Sequence, residues 1–364
     1  MKIKQLTTAL ESWAPHSLQE DYDNSGLHVG DPETEVNTAL VCLDCTEQVV
    51  EEAAAKGCGL IISHHPVIFR GLKSLVPRGP VERTVLAAIR RDIALYAIHT
   101  NLDNVIDGVN GEIADALGLM GRRVLQPRPG QLAKLAVFVP HAHAETVRSA
   151  LFLAGAGRIG AYDECSFNLE GQGTFRPGEG SNAFVGERGT RHHEPETRVE
   201  VVLPRTAEEA VVAAMKAAHP YEEVAYDLVP LANDHPGVGS GLVGHWEQPL
   251  GERDFLERIK QVFGQRVVRH SPLTGRPVQR VALCGGAGAF LIGRVLAAGA
   301  DAFITADLKY HDYFQADGRV LLADVGHYGS EQFTMRLIQR RLGEVFPTFA
   351  VRLTETVTDP IHYS

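Results

Sequence analysis

Apolar positions in the first third of the chain fall in strand-length runs separated by helical periodicity. After Asn37, TALVCLD is apolar and β-rich, EQVVEEAAAKG reads as a helix that stops at Gly57, and LIIS reads as a buried strand. A helix over Pro80–Arg91 and a strand, IALYAIH, follow. Strands alternating with helices predict an α/β layer architecture with a largely parallel, covered sheet.

The end of the chain repeats this plan. VQRVALCGGAG parallels VNTALVCLDCT, AAGADAFITADLKYH parallels AAKGCGLIISHHPVI, and GRVLLADVGHYGSE parallels RDIALYAIHTNLDN. In each half a helix stops at a glycine, Gly57 or Gly299, and the strand after it ends in polar, metal-capable residues. This pattern predicts two related βαβ half-domains facing each other across a pseudo-twofold axis. Between them, KLAVFVP, a helix over Ala144–Ala154, RVEVVLP, a helix over Ala207–Ala218 and EVAYDLVPL give the order β-α-β-β-α-β, which is ferredoxin-like. The centre of that segment, Gly171 to Glu196, concentrates Gly, Pro and charge and reads as a long hairpin or loop. The expected organisation is a first half-domain at 1–126, an inserted α+β domain at 127–231 and a second half-domain at 232–364.

Against this frame certain polar residues stand out. His64 and His65 follow LIIS directly, in the turn at a strand's carboxyl end, where open α/β sheets bind ligands. Adjacent residues on a strand point to opposite faces, so two neighbouring His suit two ions better than one. Asp103, in HTNLD, lies just past another strand, with the turn-forming Asn101 and Asn104 on either side. In DVGHYGSEQF, His327 and Glu331 stand four residues apart at the start of a helix, a spacing that puts both on one face. A carboxylate there could bridge two cations. Histidine and carboxylate donors without thiolate suit Zn, Mn, Fe, Co or Ni without choosing among them.

Composition narrows the classes. The chain has 364 residues, 44 % hydrophobic and 22 % charged, which is ordinary for a folded protein of two or three domains. A net charge of -10 argues against broad binding to nucleic acid or anionic lipid. No apolar run approaches the ~20 residues of a membrane helix, and MKIKQLTTALESWAP reaches Glu11 before an apolar signal core forms, so a cytoplasmic location is expected. Five scattered cysteines make no disulfide framework. Cys42 and Cys45 form C-x-x-C, but Cys42 falls in the strand and Thr46 caps the next helix, which disfavours a thioredoxin-like dithiol. Gly285, Gly286 and Gly288 follow a strand and suggest an anion cradle, with Lys309 as a second phosphate contact. His311 is a candidate supporting residue, and His192 and His193 are expected in an exposed loop.

DYDNSGLHVGD, LIISHHPVIF, HTNLDN, AFITADLKYHD and DVGHYGSE, in this order, strongly resemble the GTP cyclohydrolase I type 2 family, also called NIF-three-like dinuclear metal proteins. The resemblance covers Met1 to about Gln126 and about Gly237 to Ser364. It implies metal ligands at His64, His65, Asp103, His327 and Glu331, and ring-shaped homohexamers with the metal sites facing an inner cavity. That family usually has Trp where Tyr22 stands and Gln where His28 stands. The middle segment, with AGAGRIGAYDECSF and AHPYEEVAYDLVPL, resembles the CutA-like or PII-like insert of longer members. Two functional expectations result. One is metal-dependent hydrolysis of a nucleotide or phosphorylated small molecule, with GTP ring opening suggested by the family name. The other is a non-enzymatic metal-binding scaffold or sensor with a regulatory PII-like domain.

Overall fold

In the computed structural model, which describes residues 1–362, the apolar runs of both ends become parallel strands. In chain order the strands are β1 (Gly26–Val29), β2 (Thr38–Cys42), β3 (Leu60–Ser63), β4 (Ala94–Ala97) and β5 (Met120–Pro127). Then come β6 (Leu132–Pro140), β7 (Phe167–Phe175), β8 (His192–Pro204) and β9 (Tyr226–Leu231). The last are β10 (Gly239–Leu250), β11 (Arg269–His270), β12 (Val278–Ala287), β13 (Ala302–Ala306), β14 (Leu321–Asp324) and β15 (Ala350–Leu353). The chain divides into two compact units, one of Met1–Pro127 with the segment from Pro236 onward, the other of Arg128–His235.

The first unit holds two sheets. One has the order β1-β4-β3-β2-β15, the other β11-β14-β13-β12-β10-β5. In each, three consecutive strands lie parallel in the same relative order, β4-β3-β2 and β14-β13-β12. β3, β4 and β14 are buried along their whole length, as strands covered on both faces must be. The crossover from β2 to β3 is the helix Glu47–Ala55, whose first turn is capped by Thr46 accepting from the Val49 N–H at 3.4 Å. That from β3 to β4 is the helix Pro80–Arg90, opened by proline at its first position, where a missing N–H costs nothing. In the second half the β12–β13 crossover is a short helix, Ile292–Ala297, and the β13–β14 connection makes only a 3₁₀ turn, Asp312–Ala316. Both triplets direct strand carboxyl ends at one cleft, with Ser63 followed by His64 and Asp324 followed shortly by His327.

The second unit runs β6, the helix Ala144–Leu153, β7, β8, the helix Glu208–Ala218 and β9, in an antiparallel sheet of order β7-β8-β6-β9. It extends past Leu231 to His235. Its core is its own: Leu135, Val137, Val199 and Val201 on the sheet meet Val147, Leu151, Val211 and Met215 on the helices. Gly171 to Glu196 does contain a hairpin, β7 paired with β8 from Phe167↔Glu200 to Phe175↔His192. This corrects the reading of His192 and His193. They open β8 rather than lie in a loop, and His192 is half-buried with Nε2 2.7 Å from Glu194, whereas His193 is exposed as expected. Among the described residues no helix is long and apolar enough to cross a membrane.

Candidate metal centre

All five expected ligands come together, His64 and His65 from the end of β3, Asp103 from the one-turn helix Thr100–Asp103 after β4, and His327 and Glu331 from the helix His327–Glu331 after β14. Glu331 lies between the histidines. One of its oxygens, Oε2, is 2.9 Å from His65 Nε2 and 3.0 Å from His327 Nε2, while Oε1 is 3.9 Å from His64 Nε2. His65 Nε2 and His327 Nε2 are 3.3 Å apart, and Asp103 Oδ1 is 3.7 Å from His64 Nε2. Gly286, at φ +63°, makes this approach possible, because a side chain there would strike Glu331 Oε1. Asn101 and Asn104, read as turn formers, are buried clamps: their amides donate to Ala14 O at 2.6 Å and Leu18 O at 2.9 Å and hold the Asp103 turn in place.

The outer nitrogen of each histidine is fixed. His64 Nδ1 donates to the Ile98 carbonyl at 2.9 Å, so its Nε2 carries the lone pair. His65 Nδ1 is 2.7 Å from Asp44 Oδ1, and His327 Nδ1 is 2.7 Å from Asp307 Oδ2. A further histidine joins them. His99 shares one donor cluster with His64 and His65, while His65, His327 and Glu331 form a second, and His99 Nδ1 is backed by Asp23 at 2.7 Å. Sequence reading did not single out His99, Asp23, Asp44 or Asp307 for the site. The signals were placement, each standing at or just beyond a strand's carboxyl end or, for Asp23, ahead of β1, and, for Asp23, His99 and Asp307, a position inside the motifs that carry the family resemblance.

The electrostatics favour positive charge at the centre. Burial opposes a charged His65, but its hydrogen bonds to Asp44 and Glu331 prevail and raise it to about 10. The Glu331 hydrogen bond, against burial, raises His327 to about 9. Burial, helped by the neighbouring His65 and His99, pulls His64 down against the opposing pull of Glu331. Burial would raise the Glu331 carboxyl, but hydrogen bonds from His327 and His65 hold it well below the usual range. Asp103 is pushed up by burial and by the Glu331 charge.

Two buried atoms, His64 Nε2 and Asp103 Oδ1, have no hydrogen-bond partner although each presents a lone pair to the same space. A buried acceptor without a donor is costly, and two facing acceptors are satisfied together by a cation. The donor set fits a divalent metal.

Other expected features fare differently. The glycine turn cannot cradle an anion, because its N–H groups are already taken: Gly285 donates to Asn110 Oδ1, Gly286 to Ser330 Oγ and Gly288 to Thr305 Oγ1, at 3.0, 2.9 and 2.9 Å. His311 is exposed and packs on Tyr310 and Phe314. Lys309 is exposed. Cys42 is buried in β2 and burial pushes its thiol up, which suits a structural rather than reactive sulfur.

Comparison with known proteins bears on this geometry. The profile of a family described as Duf34/NIF3 (NGG1p interacting factor 3) matches residues 1–360. A Halalkalibacterium halodurans protein named GTP cyclohydrolase 1 type 2 homolog is 40 % identical over 333 residues, 90 % of this chain and 89 % of that protein. A Bacillus subtilis protein of the same name is 37 % identical over 99 % of this chain and 98 % of its own length. Among solved structures, a Bacillus cereus protein related to NIF3 superposes with a TM-score of 0.89 at 35 % identity, covering 100 % of this chain and 99 % of that one.

Proposed function

The chain belongs to the Duf34/NIF3 family, and from that membership we propose that it is a dinuclear divalent-metal protein that hydrolyses a nucleotide or another phosphorylated small molecule. The observation that carries this reading is the pair of buried, partnerless atoms His64 Nε2 and Asp103 Oδ1, set against the triad of His65, His327 and Glu331. His64, His65, Asp103, His327 and Glu331 would hold two cations drawn from Zn, Mn, Fe, Co or Ni. Such a pair would supply Lewis acidity for hydrolysis near neutral pH. The protein's own contribution is placement. Asp44 and Asp307 hold the His65 and His327 rings, and Ile98 fixes the His64 tautomer.

A planar base has a surface to stack on beside the centre. Phe69 meets His99 edge-on with ring centroids 6.4 Å apart, and Tyr22 lies 6.2 Å from Phe69, both rings being exposed. Aromatic faces of this kind bind purines without reading their edges. The relatives' name suggests opening of the guanine imidazole ring. Lys309, two residues from Asp307, would meet a phosphate. We further propose a cytoplasmic homo-oligomer, the toroidal hexamer that the family resemblance implies, with the second unit as its PII-like regulatory insert. Native mass measurement tests the hexamer.

The rival reading, a metal-binding scaffold or sensor, draws on a separate cavity in the second unit. The deciding experiment is metal-reconstituted protein screened against GTP, other nucleotides and phosphoesters, with Glu331→Gln as control. Elemental analysis should find about two ions per chain, since two-metal sites of this kind hold a pair of cations. Turnover that Glu331→Gln abolishes supports the hydrolase, whereas full metal content with no turnover on any class supports the scaffold.

A further inference from the structure

The helices of the second unit cover one face of its sheet, and the other face carries a built cavity. Along β8, Val199, Val201 and Leu203 point into the helix core, so Glu196, Arg198 and Glu200 point the opposite way. The hairpin connection between β7 and β8 and the segment around Tyr221 close over that face and leave a cavity of about 660 Å³, within the size range of small-molecule sites. Phe138, Phe175, Phe184 and Tyr221 line it. The Tyr221 ring lies 5.9 Å from Phe175 and 6.2 Å from Phe184.

We propose that this cavity binds a small protonated organic amine with an aromatic or apolar body. Glu196 is 8 % exposed, and its one hydrogen-bond donor among the described residues is the Tyr221 hydroxyl, 3.0 Å from Oε1. Its second oxygen accepts from no described protein group and is open to the cavity. The carboxylate fits there because Gly173 stands opposite, where any side chain would collide with it. A largely buried carboxylate whose free oxygen opens on an aromatic-lined cavity is a ready partner for a cation. Tyr221 is itself held rigidly: its N–H donates to His219 Nδ1 at 3.1 Å, and His219 Nε2 in turn donates to Phe138 O at 2.9 Å. Of the charged lining residues, Glu170, Glu196, Glu222 and Glu223 outnumber Arg176 and Arg198. Arg198 is largely engaged, with Nη2 2.8 Å from Glu200 and its guanidinium 5.7 Å from the centre of the Phe138 ring. Its Nε alone is buried without an acceptor. The negative faces of the rings, the surplus of carboxylates and the free Glu196 oxygen all select for an ammonium group rather than an anion.

The test is calorimetry on the full chain with phenethylamine, its uncharged analogue phenethyl alcohol and its anionic analogue 3-phenylpropionate. Phenethylamine should bind and the other two should bind at least about tenfold more weakly, as expected when one member of a buried charge pair is missing. Glu196→Gln, which keeps the shape and removes the charge, should weaken the amine by a similar factor with an unchanged melting temperature. Gly173→Ala, which crowds Glu196 without altering charge, should weaken it too. Equal binding of the alcohol and the amine overturns the proposal, as does an unchanged affinity in folded Glu196→Gln. Absence of amine binding at millimolar concentration, for instance because a second copy of the chain covers this face, overturns it as well.

Discussion

An imidazole can offer a lone pair through one nitrogen only while the other is held as a donor, and at this centre every histidine meets that condition. Asp44 backs His65, Asp307 backs His327, Asp23 backs His99 and the Ile98 carbonyl backs His64. Replacing such a carboxylate removes no ligand yet loosens the ring and lowers its basicity. Asp44→Asn should therefore weaken metal affinity roughly 10- to 100-fold, the usual cost of losing such support, as read by chelator competition. Unchanged affinity would mean that His65 is not a ligand. The same carboxylates set the pH response. With His65 raised to about 10 and His327 to about 9, both hold protons at neutral pH until a cation displaces them. A group raised in this way keeps its proton up to the higher pH. Apparent metal affinity should thus go on rising between pH 7 and 9 rather than level off above the ordinary imidazole value of 6.5, with proton release on metal addition shown by calorimetry in buffers of different ionisation heat. The five proposed ligands stood out because each lies beyond a strand's carboxyl end, in a segment that resembles the family's motifs. Asp44, Asp307 and Asp23 did not, since aspartate in a turn is common for its own backbone hydrogen bonds.

At the scale of elements, the parallel triplets were legible and the edges were not. β2, β3 and β4 are continuous apolar runs between helices of clear period, so the βαβ pattern stood out in the sequence. β10 and β15 did not: GSGLVGHWEQPL mixes glycine with polar residues, and AVRL is four residues whose neighbours are far away in sequence. β15 takes its place by parallel pairing with β2, Ala350↔Thr38 to Leu353↔Val41. The chain beyond it gathers chiefly around one side chain. Glu52, on the helix Glu47–Ala55, accepts from Thr354 Oγ1 at 2.6 Å, the Glu355 N–H at 2.8 Å and Thr356 Oγ1 at 2.7 Å, and from Lys56 at 2.6 Å. Further on, Thr358 Oγ1 donates to Asp44 at 2.8 Å, so this segment reaches the residue that orients His65. Burial would raise the Glu52 carboxyl, but these donors lower it from 4.5 to about 2. A carboxylate depressed on folding stabilises the protein above its unfolded value and loses that contribution as pH falls through the folded one. Glu52→Gln should cost about 1.5–3 kcal/mol at neutral pH, the worth of hydrogen bonds to a charged group. The difference from wild type should shrink between pH 4.5 and 2, as followed by denaturant unfolding. A gap that stays constant across that interval would mean that the Glu52 charge does not hold this segment.

For the whole molecule, the arrangement of the chain makes the second unit separable. Every proposed metal ligand lies in the first unit, and the apolar core of residues 128–235 is built from that unit's own strands and helices. The chain leaves the first unit at the end of β5 and returns at the start of β10, and those two ends are already paired, Gly239 standing directly opposite Pro127 in the sheet. Facing residues of an antiparallel pair have Cα atoms only about 4.5–5.5 Å apart, so the retained Pro236, Gly237 and Val238, with at most about two added Gly or Asn residues, close the gap as a short β-hairpin loop. The long connection is thereby replaced by a short one, and because loop-closure entropy grows only slowly with length, the change should scarcely alter the stability of the host. Deleting Arg128–His235 in this way should leave Leu242, Val281 and Leu283 in the host core, together with the whole His/Asp/Glu cluster. The shortened protein should fold with a single cooperative transition and bind the same number of metal ions as the full chain, while losing the amine binding assigned to the cavity around Glu196. Circular dichroism, elemental analysis and calorimetry check the three parts separately. Loss of metal or aggregation across several turn sequences would show that the first unit needs the second to hold its centre, and amine binding that survived the deletion would place that site elsewhere.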